Sequence, residues 1–219
     1  MRCPKCGGLI VYDRGRVEFV CAVCESVVAV ESWPYEPEYL KAVYMIRTKE
    51  REKRAREVIR KHITENAAVA LSGKDSMAAL HLTATTEADV DIDVVIAAYV
   101  ADRRLPQKIV DELRAFAESL GVRRVIIHDE PWDVHASLFA IISRTYGYNV
   151  LITGLRRREN RGHFSAVEYI RVDGRTVRLI NPLIDWSAAE VWSYIYNCSL
   201  PVLTPYRHAR PDTPLQHFV

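Results

Sequence analysis

The sequence predicts an α/β fold built on a parallel sheet, preceded by a small cysteine-paired module and a charged linker helix. Three observations predict it. From Ala67 onward, short apolar runs of strand length alternate with segments of helical period, the pattern of a sheet whose strands are joined by helices. Ahead of that region, four of the five cysteines fall into two Cys-x-x-Cys pairs, and after them comes a run in which nearly every residue is charged. The expected division is residues 1–31, 32–65 and 66–219. At 219 residues and 49% hydrophobic content, the chain can bury a full core and carry an accessory module.

Composition excludes several classes. A 26% charged fraction with a net charge of +2 is that of an ordinary globule and not of a disordered chain. No apolar stretch approaches the ~20 residues of a membrane span, and the opening "MRCPKCGG" contains no apolar leader. The expectation is a cytoplasmic protein with no membrane partner.

Cys3-Pro4-Lys5-Cys6 and Cys21-Ala22-Val23-Cys24 are separated by 14 residues that include Gly7, Gly8 and Gly15. Two such turns on hairpins present four thiolates tetrahedrally, so Cys3, Cys6, Cys21 and Cys24 are expected to hold a structural zinc ion as a zinc ribbon. Iron in the same four-thiolate geometry stays open. Disulfides would need an oxidising compartment, for which no secretory leader speaks. The intervening "LIVYDRGRVEFVC" predicts two short strands around Asp13-Arg14-Gly15. A four-thiolate site leaves no position for substrate, and its expected job is to fold a segment too small to hold a core.

Ser32-Trp33-Pro34-Tyr35-Glu36-Pro37 punctuates the chain, and a helix is predicted from about Glu38 to Glu65. Its ends carry apolar residues at helical spacing, whereas Arg47 to Glu57 holds six basic and three acidic residues. The middle is therefore expected to be solvated, with Glu50–Arg54, Glu52–Arg56 and Glu57–Lys61 in the favourable i,i+4 order. Its positive surplus beside a zinc ribbon leaves RNA contact open.

Strands are predicted at Ala67–Leu71, Asp93–Val100, Arg124–His128 and Asn149–Thr153, with helices at Ser76–Thr83, Lys108–Leu120 and Trp132–Tyr146 between them. Right-handed crossovers then cover both faces of a parallel sheet, and ligands of such sheets bind at the carboxyl ends of the strands. Glu168–Val172 and Thr176–Ile180 predict a hairpin around Asp173-Gly174. Ser187 and Glu190 form a capping-box pattern for a final helix whose Val191, Trp192 and Ile195 belong to the core.

The loop after the first of these strands, Ser72-Gly73-Lys74-Asp75-Ser76, is a glycine-hydroxyl turn entering a helix. Backbone amides and the positive helix end there suit an anion, and Lys74 adds a full charge. The turn lacks the spacing of a Walker P-loop or a dinucleotide fingerprint. The arginines Arg156, Arg157, Arg158 and Arg161 follow the fourth strand and can take phosphate or sulfate oxygens in bidentate fashion. Lys74 is expected to face solvent until a ligand arrives, so that its removal would cost little thermal stability.

The turn resembles the PP-loop of the adenine nucleotide alpha-hydrolase-like superfamily, written Ser-Gly-Gly-x-Asp-Ser. Gly73, Lys74, Asp75 and Ser76 match its end, while Leu71 falls on its first serine and Ser72 on its first glycine. Farther on, "TGLRRRENR" and "INPLIDWSAAEVWSYIYNCSLPV" resemble the phosphoadenosine phosphosulfate (PAPS) reductase family, through Gly154, Arg156 and Arg157 and through Asn181, Pro182, Leu183, Asp185, Trp186, Val191, Trp192, Tyr194 and Ile195. Asp102 with Leu105-Pro106 resembles that family's Asp-Thr-Gly loop. The resemblance covers roughly Ala67 to Tyr206.

It implies a parallel-sheet PP-loop domain that binds an adenine nucleotide, ATP or PAPS, with magnesium. Ser72, Gly73, Lys74 and Ser76 are then expected on pyrophosphate, Asp75 and Asp102 on magnesium or ribose, and Gly154, Arg156 and Arg157 at the anion clamp. Lys74 and Asp75 are the candidate catalytic residues. Asp185 is a candidate nucleotide contact whose purely structural role stays open. True reductases of the family use a cysteine near the C-terminus, and after Cys198 this chain has none. The expectation is therefore an adenylating or sulfur-handling transferase acting on an acceptor the sequence does not name. A reductase with a displaced thiol, a tRNA-thiolating enzyme with tRNA as partner, and a non-catalytic nucleotide sensor or complex subunit stay open, as does homo-oligomerisation.

Overall fold

The computed structural model describes residues 10–13, 18–21, 37–64, 66–87, 91–100, 102–132, 137–157 and 165–208. In the N-terminal segment, β1 (Ile10–Asp13) pairs antiparallel with β2 (Glu18–Cys21), placing Ile10 opposite Cys21. This is the hairpin expected around Asp13-Arg14-Gly15. Cys3, Cys6 and Cys24 lie outside the described residues.

The linker is helical, in three pieces: α1 (Pro37–Val43), a π-helical turn over Tyr44–Thr48, and α2 (Lys49–His62). The expectation of a solvated charged middle is corrected here. Thr48 is fully buried and shares a 2.7 Å hydrogen bond with the Ser193 hydroxyl. Arg51 pairs with buried Glu190 at 3.0 Å. Arg56 reaches the Leu82 carbonyl at 3.2 Å and the Thr85 hydroxyl at 2.9 Å while Glu52 holds its other nitrogen at 2.8 Å. One charged face of α2 is thus a docking face, and Lys49, Lys53, Arg54 and Arg60 remain exposed on the other.

Beyond the linker, β3 (Ala67–Leu71), β4 (Asp93–Ala97), β7 (Arg124–His128), β8 (Val150–Ile152) and β10 (Arg175–Ile180) form a parallel sheet, with β9 (Val167–Val172) antiparallel at one edge. The strand order is β7-β4-β3-β8-β10-β9. The hairpin joining β9 to β10 turns at Asp173 and Gly174, both at positive φ (50° and 80°), as a two-residue hairpin turn requires. Tyr99–Val100, expected as the end of β4, is a separate strand β5 that pairs with β6 (Arg103–Arg104).

Alternation along the strands fills two cores. Val69, Leu71, Val94, Ile96, Val150 and Ile152 face one side, where α3 (Lys74–Ala84), α4 (Gln107–Ser119), α6 (Ala188–Asn197) and α2 pack. Ala68, Ala70, Val95 and Leu151 face the other, with Ile142 of α5 (Leu138–Tyr146) and Tyr148. The chain runs outward through β3, α3, β4, α4 and β7, then returns through α5 to β8 on the far side of β3. With right-handed crossovers the reversal moves α5 to the opposite face, and it makes the gap between the carboxyl ends of β3 and β8 the switch point at which ligands of such sheets bind. The helix expected over Trp132–Tyr146 is seen from Leu138, and residues 133–136 lie outside the described residues. Among the described residues no helix is long and apolar enough to cross a membrane.

Candidate active site at the switch point

The turn between β3 and α3 is organised by Ser76. Its hydroxyl accepts hydrogen bonds from the amides of Ser72 (2.9 Å) and Gly73 (3.0 Å) and donates to the Gly73 carbonyl (2.9 Å). Met77 then donates to the Gly73 carbonyl at 2.9 Å, closing the first helical turn, and the amides ahead of it have no acceptor within the helix. Leu71, which stands at the position of the motif's first serine, is the last residue of β3 and fully buried. Ser72 is the hydroxyl nearest that place, and it is partly exposed.

Lys74 does not face solvent. It is 2% exposed, with its ammonium 2.7 Å from Asp75 Oδ2 and 5.5 Å from the centre of the Tyr206 ring. The sequence expectation is corrected: the lysine folds back onto the neighbouring carboxylate because the 3-10 helix Thr204–His208 closes over it. That segment is tied down where Glu112 accepts hydrogen bonds from the Thr204 amide and hydroxyl, and Tyr206 stacks edge-on against Trp192 at 5.7 Å. Arg156, also 2% exposed, sets its Nε 2.8 Å from Asp75 Oδ1, an ion contact that is not aligned as a hydrogen bond. Two buried cations therefore flank one carboxylate at the mouth of the turn.

Gly154 explains why Arg156 comes so close. A Cβ on Gly154 would lie 2.4 Å from the Ser76 nitrogen and 2.6 Å from the Asp75 carbonyl carbon, so the loop after β8 rests directly on the backbone of the turn. The loop is held to the one after β10: the Thr153 and Asn181 side chains meet at 2.6 Å, and the Arg157 amide donates to the Ile184 carbonyl at 2.8 Å. Arg157 turns away from the turn and pairs with Asp185 at 3.0 Å, both side chains more than half exposed. Asp102 is exposed in the turn between β5 and β6. The structure thus brings Ser72, Gly73, Lys74, Asp75, Ser76, Gly154 and Arg156 together and sets Arg157 with Asp185 beside them. Arg158 and Arg161 lie outside the described residues. Tyr206 and Glu112 do work that sequence patterns do not announce, since each acts across a long stretch of chain.

Asp75 is occupied by two cations, and no group of three or more histidine, cysteine or acidic side chains among the described residues is placed to hold a metal. Cys198, the lone cysteine of this region, is half-buried beside Tyr194 and Glu52. Burial foremost, and then the Glu52 charge, push its thiol above the ordinary value, which is the opposite of what a nucleophilic thiolate needs.

The fold is a mostly parallel α/β sheet with a PP-loop-like turn at its switch point. Residues 140–209 match the phosphoadenosine phosphosulfate reductase domain, the family that the sequence motifs resemble, and residues 1–42 match the TFIIB zinc-binding family. Among solved structures, FMN adenylyltransferase of Candida glabrata in complex with FMN and the ATP analog AMPCPP is similar, with a TM-score of 0.57 and 13% identity over 78% of this chain and 66% of that one. The same enzyme in complex with ATP gives a TM-score of 0.52 at 14% identity over 76% and 65%. Yeast FAD synthetase in complex with FAD gives 0.53 at 12% identity over 76% and 67%. At these identities the likeness is one of fold. The chain spans slightly less than two thirds of the adenylyltransferase. Comparison with curated protein sequences gives no match.

Proposed function

We propose that the chain binds an adenine nucleotide at the Ser72–Ser76 turn and acts as an adenylating transferase on a separate acceptor. The observation that carries this reading is the meeting of Lys74 and Arg156, two buried cations, on the Asp75 carboxylate in the first turn of α3, at the switch point of the sheet. Helix-end amides and buried cations are what a polyphosphate requires. A solved protein of the same fold carries FMN together with an ATP analog.

In the proposed reaction an acceptor oxygen bonds to the α-phosphorus of ATP while the bond to the bridging oxygen breaks. Pyrophosphate leaves with that electron pair, and any proton on the acceptor passes to solvent. Lys74 swings from Asp75 to the pyrophosphate as Tyr206 yields, and Arg156 meets the charge developing on the phosphates, so both act by electrostatic stabilisation. Asp75 positions the two cations. Cys3, Cys6, Cys21 and Cys24 hold zinc apart from this chemistry, and the division into residues 1–31, 32–65 and 66–219 follows the same separation.

Calorimetry with ATP, AMP and PAPS on the wild-type chain and on Lys74→Ala tests the reading. Lys74→Ala is expected to weaken ATP binding by about 1.5–3 kcal/mol, the range of a charge-assisted hydrogen bond, and AMP binding little. PAPS binding tighter than ATP would move the function to the sulfur-handling branch. Unchanged affinity for all three nucleotides in Lys74→Ala would overturn the assignment of the turn.

A further inference from the structure

A cleft of about 470 Å³ opens beside the phosphate turn, between α2 and the segment after β10. It falls within the usual range for small-molecule sites, roughly 300–1,000 Å³, and none of residues 72–76 lines it. Arg51 and Arg54 of α2 stand on one wall and Arg157 on another, against a single carboxylate, Asp185. Its apolar surface comes from Val58, Ile184 and Trp186 among others.

The three guanidinium groups are held in ways that leave them open to a ligand. Arg51 uses Nε on Glu190, and its Nη1 is buried without a hydrogen-bond partner. A buried donor in that state is unfavourable until an acceptor arrives. Among the described residues, Arg54 pairs with exposed Glu50 at 3.3 Å and Arg157 with exposed Asp185 at 3.0 Å. Exposed pairs of this kind add little stability, so an incoming anion exchanges with them readily. The position has a consequence for chemistry: Arg157 follows directly on Arg156, whose side chain touches Asp75 of the turn.

We propose that this cleft is the acceptor subsite, and that the acceptor is a small amphiphilic anion, an aromatic or aliphatic body carrying a phosphate, sulfate or carboxylate. The body lies on Trp186, Ile184 and Val58, and the anionic group is taken by Arg51, Arg54 and Arg157. This deepens the transferase reading and rests on it for the identity of the neighbouring nucleotide. Arg51 and Arg54 lie on the linker helix, before the region that resembles the PAPS reductase family, so part of the acceptor site comes from outside that resemblance.

Calorimetry of the full-length, zinc-loaded chain with 1-naphthyl phosphate, and with neutral 1-naphthol as control, tests the proposal. The expected result is saturable 1:1 binding of the phosphate, at least tenfold tighter than the naphthol. Arg54→Gln and Arg51→Gln each weaken it about tenfold or more and leave ATP affinity unchanged. Because Arg51 also neutralises buried Glu190, Arg54→Gln decides the matter if Arg51→Gln fails to fold. Absence of saturable binding overturns the proposal. So does loss of probe binding in Lys74→Ala but not in Arg54→Gln, which would seat the probe in the phosphate turn, or loss of ATP affinity in Arg54→Gln, which would make the cleft part of the nucleotide site. Displacement of bound probe by polyuridylate at low salt would make the occupant RNA and overturn it as well. If wild-type protein binds the probe through its arginines yet fails to bind ATP, the anion site stands and the transferase reading alone falls.

Discussion

A Cβ at position 154 has no room, because the atoms it would meet at 2.4 and 2.6 Å belong to the backbone of Ser76 and Asp75 and not to side chains that can swing aside. Gly154→Ala is therefore expected to push the loop after β8 off the phosphate turn, lowering stability by about 1–3 kcal/mol as overpacking does. Arg156 moves with that loop, so ATP affinity should fall too; thermal melting and calorimetry read the two effects. Asp93, at the amino end of β4, is fully buried. Burial alone would raise its carboxyl, but hydrogen bonds from Arg123 (2.8 Å), Tyr148 (2.6 Å) and Arg124 (2.8 Å) together prevail and hold it down at about 2, below the ordinary 3.8. A depressed folded value means that the contribution to stability is fully present above pH 3.8 and is lost as pH falls through about 2. Asp93→Ala is expected to cost about 3 kcal/mol, the lower end for a broken buried pair because the arginines left behind are half exposed. In acid titration of unfolding, the wild-type advantage over Asp93→Ala should shrink between pH 4 and pH 2; a constant difference down to pH 2 would show that the carboxylate's charge is not what matters.

The elements whose logic is local were legible, and those whose logic is tertiary were not. β3 and β7 run over Ala67–Leu71 and Arg124–His128, the bounds of their apolar runs, because an apolar strand among turn residues needs no distant partner to be recognised. The capping box of α6 is likewise local: Ser187 accepts from the Glu190 amide at 3.3 Å while Glu190 accepts from the Ser187 amide at 2.7 Å. The two-residue strands β5 and β6 are too short to show any period. The burial of α2's charges depends on acceptors far along the chain, the Leu82 carbonyl and the Thr85 hydroxyl for Arg56 and Glu190 for Arg51, and charge spacing alone reads such a helix as solvated. The same holds for the site, where the phosphate turn and Gly154 carry recognisable residue types but the closure of Tyr206 over Lys74 joins positions 132 residues apart. Arg56→Ala tests the docking of α2. It removes a charged donor from three acceptors at the α3 end, the Leu82 carbonyl and the Thr85 and Thr86 hydroxyls, and releases Glu52, whose other oxygen is 2.7 Å from the Tyr44 hydroxyl. The expected cost is about 2–3 kcal/mol in urea unfolding, with Arg56→Lys recovering only part because an ammonium cannot span the same fork of acceptors. A change below 0.5 kcal/mol would return α2 to the solvated helix that its sequence suggests.

At the scale of the whole chain, the question is how the cysteine-paired segment depends on the rest. The β1–β2 hairpin has four residues in each strand, and a two-stranded hairpin of that size is marginal in water. The two described cores draw their buried residues from Leu40 to Tyr206. Metal is therefore expected to supply the folding energy of the N-terminal segment while the sheet stands on its own packing. The two parts still touch, for β2 lies against the 3-10 helix that carries Tyr206, so the hairpin helps to keep the cover on Lys74. Removing the metal by chelation, or Cys21→Ser, should expose amides 10–13 and 18–21 to rapid hydrogen exchange. Protection should fall by a smaller factor in residues 204–206, and the amides of β3, β4 and β8 should keep theirs. With the cover loosened, Lys74 is freed toward the phosphate turn, and ATP affinity in the metal-free chain should hold or rise. Protection of the hairpin retained without metal would remove the zinc assignment. Loss of protection across β3, β4 and β8 together would show instead that the ribbon is part of a single cooperative unit with the sheet.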